Sequence, residues 1–110
     1  MTTEATILAE IRLLLGTDPR CVLWRNSTGV AGIDGRKMRF GLVRGGSDLI
    51  GIVRGTGRFF ALEVKTATGR IQIEQAQFID LVRGMGGYAA VVRSVDDAMA
   101  ALDAADRGDP

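Results

Sequence analysis

Three charged residues in the middle of the chain have the types and spacing of a site that works on phosphate esters. Asp48 follows Gly46-Ser47 and opens an apolar run, Leu49-Ile50-Gly51-Ile52-Val53. Glu63 and Lys65 stand two apart in a second run, Phe59-Phe60-Ala61-Leu62-Glu63-Val64-Lys65-Thr66. Side chains of a strand alternate between faces, so Glu63 and Lys65 point the same way. Arg54-Gly55-Thr56-Gly57 between the runs has the composition of a hairpin turn, and a hairpin here carries Asp48 to the side of Glu63. Two carboxylates held together repel, and one lysine offsets that repulsion only in part. A divalent cation removes the conflict, and an all-oxygen donor set suits Mg2+ or Mn2+. Such an ion polarises a phosphoryl oxygen and lowers the pKa of a bound water. Lys65 would position that water and offset the charge building on the phosphate. The competing reading is a Glu-x-Lys ion pair on the solvent face of an edge strand. The aspartate at the head of the preceding strand, and the expense of charges on an apolar strand, favour chemistry.

Composition narrows the alternatives. The 110 residues, 46% hydrophobic and 25% charged, predict one globular domain, with a core over 4–103 and a disordered tail over 104–110. There is no histidine and a single cysteine, Cys21, which excludes imidazole bases, most zinc sites and an internal disulfide. No apolar run reaches the roughly 20 residues of a membrane span. Glu4 lies near the start with no basic region ahead of an apolar stretch, so no secretory signal is expected and the cytoplasm is the expected compartment. Formal net charge is only +1, but charge is unevenly spread. Residues 20–58 carry Arg20, Arg25, Arg36, Lys37, Arg39, Arg44, Arg54 and Arg58 against Asp34 and Asp48, while acids gather from Asp96 to Asp109. A basic middle suits a groove for a polyanion and equally suits solvated strand and loop charges. Arg25, Asn26, Arg44 and Arg70 are candidate phosphate contacts, each also readable as an ordinary surface residue.

Positioning the three charges requires a particular order of elements. Residues 4–15 place Ile7, Leu8, Ile11, Leu14 and Leu15 at helical spacing, with Thr2 or Thr3 as cap. Residues 21–25 predict a strand, with Trp24 and Cys21 read as packing residues. Residues 26–35 are polar and Gly-rich and predict a loop, and 37–43 a short strand. The two apolar runs predict strands over 47–53 and 58–66. Residues 71–83 have helical periodicity, with Gln75 on the apolar stripe, where it can bond active-site water, Lys65 or a DNA phosphate, or else, at the helix boundary, a backbone carbonyl. Tyr88 to Val92 predict a strand buried on both faces, and Ser94 caps a last helix through Asp103. Gly55-Thr56-Gly57 is too short for a dinucleotide fingerprint, which disfavours a small-molecule α/β domain.

These motifs, in this order, resemble the VRR-NUC branch of the PD-(D/E)xK nucleases. The resemblance is carried by Leu23-Trp24-Arg25-Asn26, Gly46-Ser47-Asp48-Leu49-Ile50-Gly51, Phe60 to Thr66, Gly69-Arg70, Glu74-Gln75 and Gly86-Gly87-Tyr88-Ala89. It runs from about residue 4 to about residue 103. Ser47 stands where the superfamily name has proline. The resemblance implies an α/β fold with an α-β-β-β-α-β core, its mixed central sheet flanked by helices. It implies phosphodiester hydrolysis with Mg2+ or Mn2+, metal bound by Asp48, Glu63 and the Val64 carbonyl, and a lysine, Lys65, assisting the attacking water. It favours an active-site role for Gln75. It also implies a glutamate on the first helix near the metal. Glu4, in line with the apolar stripe, is preferred over Glu10 on its flank, although Glu4 also reads as a plain first-turn acid favouring the helix dipole. Standalone members are typically phage or bacterial proteins. They point to a homodimer acting on DNA, duplex or branched, with Holliday junctions as one such substrate. A nucleic-acid-binding module that keeps the fold without hydrolysis is the alternative. Retention of all three core charges speaks against it.

Overall fold

The computed structural model describes residues 2–27 and 29–110. In chain order the elements are α1 (Glu4–Leu15), β1 (Cys21–Arg25), β2 (Gly29–Ile33), β3 (Arg36–Phe40), β4 (Leu49–Val53), β5 (Phe59–Val64), α2 (Ile73–Gly84), β6 (Tyr88–Val92) and α3 (Val95–Arg107). Four strands make a mixed sheet in the order β1-β4-β5-β6, and β2 and β3 make a separate two-stranded sheet. β4 is antiparallel to β1 and to β5, and β5 is parallel to β6. Parallel neighbours need a crossover, and α2 supplies it. The expected α-β-β-β-α-β core is therefore present, with a β2–β3 ribbon inserted after its first strand.

The sheet separates two cores. Phe60, Leu62 and Val64 of β5 face one way, joining Leu49, Val53 and Val92 against Ile7, Ile11 and Leu15 of α1 and Ala98, Ala101, Leu102 and Ala105 of α3. The alternate residues Ala61 and Ala89 face the other way, against Phe78, Ile79 and Val82 of α2. Burying each Leu or Phe contributes on the order of 1.5–3 kcal/mol. β5 is covered on both sides and is buried from Phe60 through Val64. By strand alternation Glu63 and Lys65 share the face of Ala61, so these charges enter the layer between sheet and α2. β6 also serves both cores: Ala89 and Val91 face α2, and Val92 packs with Tyr88 and Ala90 on the other side.

Several boundaries differ from the sequence reading, each for a physical reason. Residues 29–33 form a strand where a loop is expected, because the Asp34-Gly35 turn, with φ of 50° and 74°, closes a two-residue hairpin onto β3. Thr28, inside that expected loop, lies outside the described residues. β3 covers 36–40, and residues after 40 leave the ribbon. α3 continues through Arg107 to a Gly108 cap with φ 87°, so most of the expected tail is helix, as the Ala-rich run Ala104-Ala105 favours. On α1 the buried positions are Ile7, Ile11 and Leu15, whereas Leu14 is 49% exposed. Trp24 is 50% exposed and does not pack in the core, because β1 is an edge strand and α2 covers the β5–β6 half of that face. Cys21 is buried, as expected. Among the described residues no helix is long and apolar enough to cross a membrane.

Candidate active site

The register of the β4–β5 hairpin sets Leu49 opposite Leu62 and Ile50 opposite Ala61. One step further, Asp48 falls beside Glu63. The aspartate is held there by backbone: its Oδ2 accepts the Val64 N–H at 2.8 Å, and its carbonyl accepts the Asn26 N–H at 2.7 Å. On the opposite side of the strand, the Lys65 N–H donates to the Val92 carbonyl at 3.0 Å and extends the β5–β6 ladder one residue past Val64.

Glu63 is 2% exposed and Lys65 8%. Glu63 Oε1 accepts from Gln75 Nε2 at 2.9 Å and lies 3.9 Å from Lys65 Nζ. Its other oxygen, Oε2, is buried without a partner, as is the Ser47 hydroxyl. A buried carboxylate with one free oxygen is costly unless something else neutralises it. The Glu63 carboxyl is pushed up to about 8, first by burial and then by the adjacent Asp48 charge; Lys65 opposes this, and Glu4 adds a smaller push upward. Burial and the neighbouring carboxylate thus both disfavour the charged form of Glu63. All the donors offered here are oxygen, and the buried Cys21 belongs to the other core. Among the described residues no group of three or more His, Cys, Asp or Glu side chains is placed to hold a metal ion.

Gln75 has two bonds that fix its orientation. While Nε2 donates to Glu63, its Oε1 accepts the Gln72 N–H at 2.8 Å at the start of α2. Neither partner is one expected from the sequence: Nε2 meets the Glu63 carboxylate in place of water, Lys65 or phosphate, and Oε1 meets a backbone N–H in place of a carbonyl. The consequence is that α2's first turn is tied to the carboxylate it covers.

Glu4 and Glu10 part company. Glu4, with Ala5, Leu8, Ala9 and Arg12 of α1, lines an open cleft of about 320 Å3 whose other wall is Arg25, Asp48 and Val64. Glu10 lines a different cleft with Thr66 and Arg93. Arg12 was not singled out from sequence; the small residues Ala5 and Ala9 on its face leave the space it borders. Arg44 and Arg70 are exposed, one in the segment leading to Asp48 and the other between β5 and α2. Gly45, at φ 84°, packs that first segment onto α2, where a Cβ would lie 2.4 Å from the Glu74 carbonyl.

Asn26 is engaged by the chain itself. Its Nδ2 donates to the Ser47 carbonyl at 3.1 Å and its Oδ1 accepts the Leu42 N–H at 3.2 Å. With the backbone bond to Asp48, it staples both ends of the 26–47 excursion at the acidic pair. Asn26→Ala removes both side-chain bonds and leaves a partly buried carbonyl unpaired. The expected loss is ~1–3 kcal/mol of stability, read by thermal melting, together with weaker Mn2+ binding by calorimetry.

An α/β core with two carboxylates and a lysine on adjoining strand ends has the architecture of a nuclease domain. The chain belongs to the VRR-NUC domain family: the family model matches residues 21–96, from β1 into the start of α3. Asp48, Glu63, Lys65 and Gln75 fall inside the match, and Glu4 falls outside it. A comparison with curated proteins returns no match.

Proposed function

We propose that this VRR-NUC domain is a divalent-cation-dependent DNA endonuclease. The observation that carries the reading is the buried Glu63 carboxylate, with one oxygen unpartnered, beside Asp48 and within 3.9 Å of Lys65. Asp48, Glu63 and the Val64 carbonyl would hold Mg2+ or Mn2+, with Glu4 as the contribution from α1. The ion, when bound, polarises the phosphoryl oxygen and acidifies the attacking water. Lys65 orients that water through its ammonium and offsets the negative charge that develops on the phosphate. Gln75 keeps Glu63 facing the site. Arg25, Arg44 and Arg70 are exposed around it to take neighbouring phosphates.

The finer reading is a two-fold pair acting on branched DNA, including four-way junctions. Support for a second copy comes from Val22, Trp24 and Ile52, 39%, 50% and 42% exposed on the sheet face that α2 leaves open. Two-fold pairs are the commonest closed assemblies, and paired sites suit symmetric cuts.

The test compares linear duplex, single strands, flaps and four-way junctions as substrates with Mg2+ and Mn2+. Paired symmetric nicks in the junction and a particle of about twice the chain mass by light scattering are expected. Calorimetry should show Mn2+ binding that disappears in Asp48→Asn. Undiminished binding in that variant would remove the aspartate from the site, and a monomer making paired cuts would overturn the two-fold reading.

A further inference from the structure

The β2–β3 ribbon is not used by the site as described, yet its position and charge are specific. It interrupts the core between Arg25 and Asp48 and, among the described residues, is hydrogen-bonded to no strand of the main sheet. Both of its ends are fixed at the catalytic end of that sheet. Arg25 pairs with Leu49, and Asn26 bonds the Asp48 carbonyl, the Ser47 carbonyl and the Leu42 N–H. The ribbon is therefore anchored within a residue or two of an acid assigned to the metal. From Arg25 to Arg44 the sequence has five cations, Arg25, Arg36, Lys37, Arg39 and Arg44, against the single acid Asp34. Arg36 and Lys37 are exposed next to the Asp34-Gly35 turn at the tip. Five residues per strand at a rise of ~3.4 Å give an arm of about 17 Å. That reaches along about five base pairs, and the major groove of a duplex admits a two-stranded ribbon.

We infer that the β2–β3 ribbon is a DNA-contacting arm, with Arg36 and Lys37 gripping the duplex that flanks the scissile phosphate. The inference rests on the nuclease reading above and extends it by assigning where duplex DNA lies relative to the metal. The acidic pair sits at the root of the arm, so the cut falls at one end of the gripped segment. Sequence composition alone leaves open whether these cations are a binding surface or solvated charge. A closed hairpin with cations beside its turn and both roots at the catalytic end favours the binding surface.

The experiment measures binding of a duplex of about 30 base pairs in Ca2+, across a salt series, for the native chain and for Arg36→Ala/Lys37→Ala. The double variant should bind about tenfold or more weakly near physiological salt, with its log affinity against log salt slope shallower by roughly 1–2, the loss of one or two phosphate contacts. Its Mn2+ isotherm and melting temperature should match the native chain, which separates an arm from a folding element. With Mg2+, shortening the duplex on one side of the cut to about three base pairs should lower native kcat/KM and leave that of the double variant unchanged, because only the arm uses the extra length. Equal affinity and equal salt slope in the two proteins would overturn the arm while leaving the nuclease reading standing. A native chain that binds Mn2+ but no DNA would overturn both.

Discussion

Lys65→Met should reduce single-turnover cleavage by about 1,000-fold or more, equivalent to ~4 kcal/mol or more in the barrier, while DNA affinity stays within a few-fold of native. The size follows from the place of the ammonium. It is 8% exposed and sits 3.9 Å from Glu63 Oε1, so its charge acts through protein with little screening by water. An interaction that strengthens as charge builds on the phosphate lowers the barrier without tightening the ground state, so its removal appears in the chemical rate. Met preserves most of the aliphatic length and leaves the packing beside α2 filled. Removing a neighbouring positive charge should also leave Mn2+ affinity unchanged or slightly raised. Cleavage at the native rate would make Lys65 structural and would defeat the proposed mechanism. Loss of Mn2+ binding together with cleavage would place the lysine in holding the site together and not in the chemical step.

How the sequence exposes such a site depends on which restraints are local. Asp48, Glu63 and Lys65 were legible because strand alternation and one hairpin fix their relations over fewer than twenty residues. The long periodic segments that became α1, α2 and β5 were legible for the same reason. The ribbon was not, because four glycines between 29 and 41 obscure an alternation that its Asp-Gly turn enforces. Trp24 misled because an apolar residue in a strand says nothing about whether a helix covers that half of the sheet. Asn26 is a long-range case. Its bonds go to Leu42 and Ser47, sixteen and twenty-one residues away, and only the folded excursion brings them together. Gln75 lies between these extremes: its position on the apolar stripe marked it as needing a partner, and the structure supplies Glu63.

Glu63→Gln should stabilise the cation-free protein at pH 8 and abolish its stabilisation by Mn2+, a reversal of sign that a purely structural ion pair would not give. In the folded chain the carboxyl is raised from the ordinary 4.5 to about 8 by burial and by Asp48. Between those two values the folded state keeps a proton that the unfolded state releases. This group's contribution is therefore fully present below about pH 4.5 and is lost as pH rises to about 8. Over that window in a chelator, native stability should fall by ~2–4 kcal/mol. Asp18 acts in the opposite sense but outside the window, since Arg20 holds its carboxyl below 3.8. An amide at position 63 cannot ionise, and its oxygen can still accept from Gln75. The pH-dependent loss should therefore vanish, with the variant ~1–3 kcal/mol more stable than native at pH 8, or several degrees in Tm. Added Mn2+ then discriminates further. Native protein at one hundred times its Kd should gain about 2.7 kcal/mol, whereas the variant should gain little. Melting curves from pH 5 to 8.5, in EDTA and in Mn2+, read both effects on one sample series. A variant less stable than native in EDTA at pH 8 would mean that Glu63 contributes net structural stability as an ion, and an equal Mn2+ shift in both proteins would mean that the cation binds elsewhere.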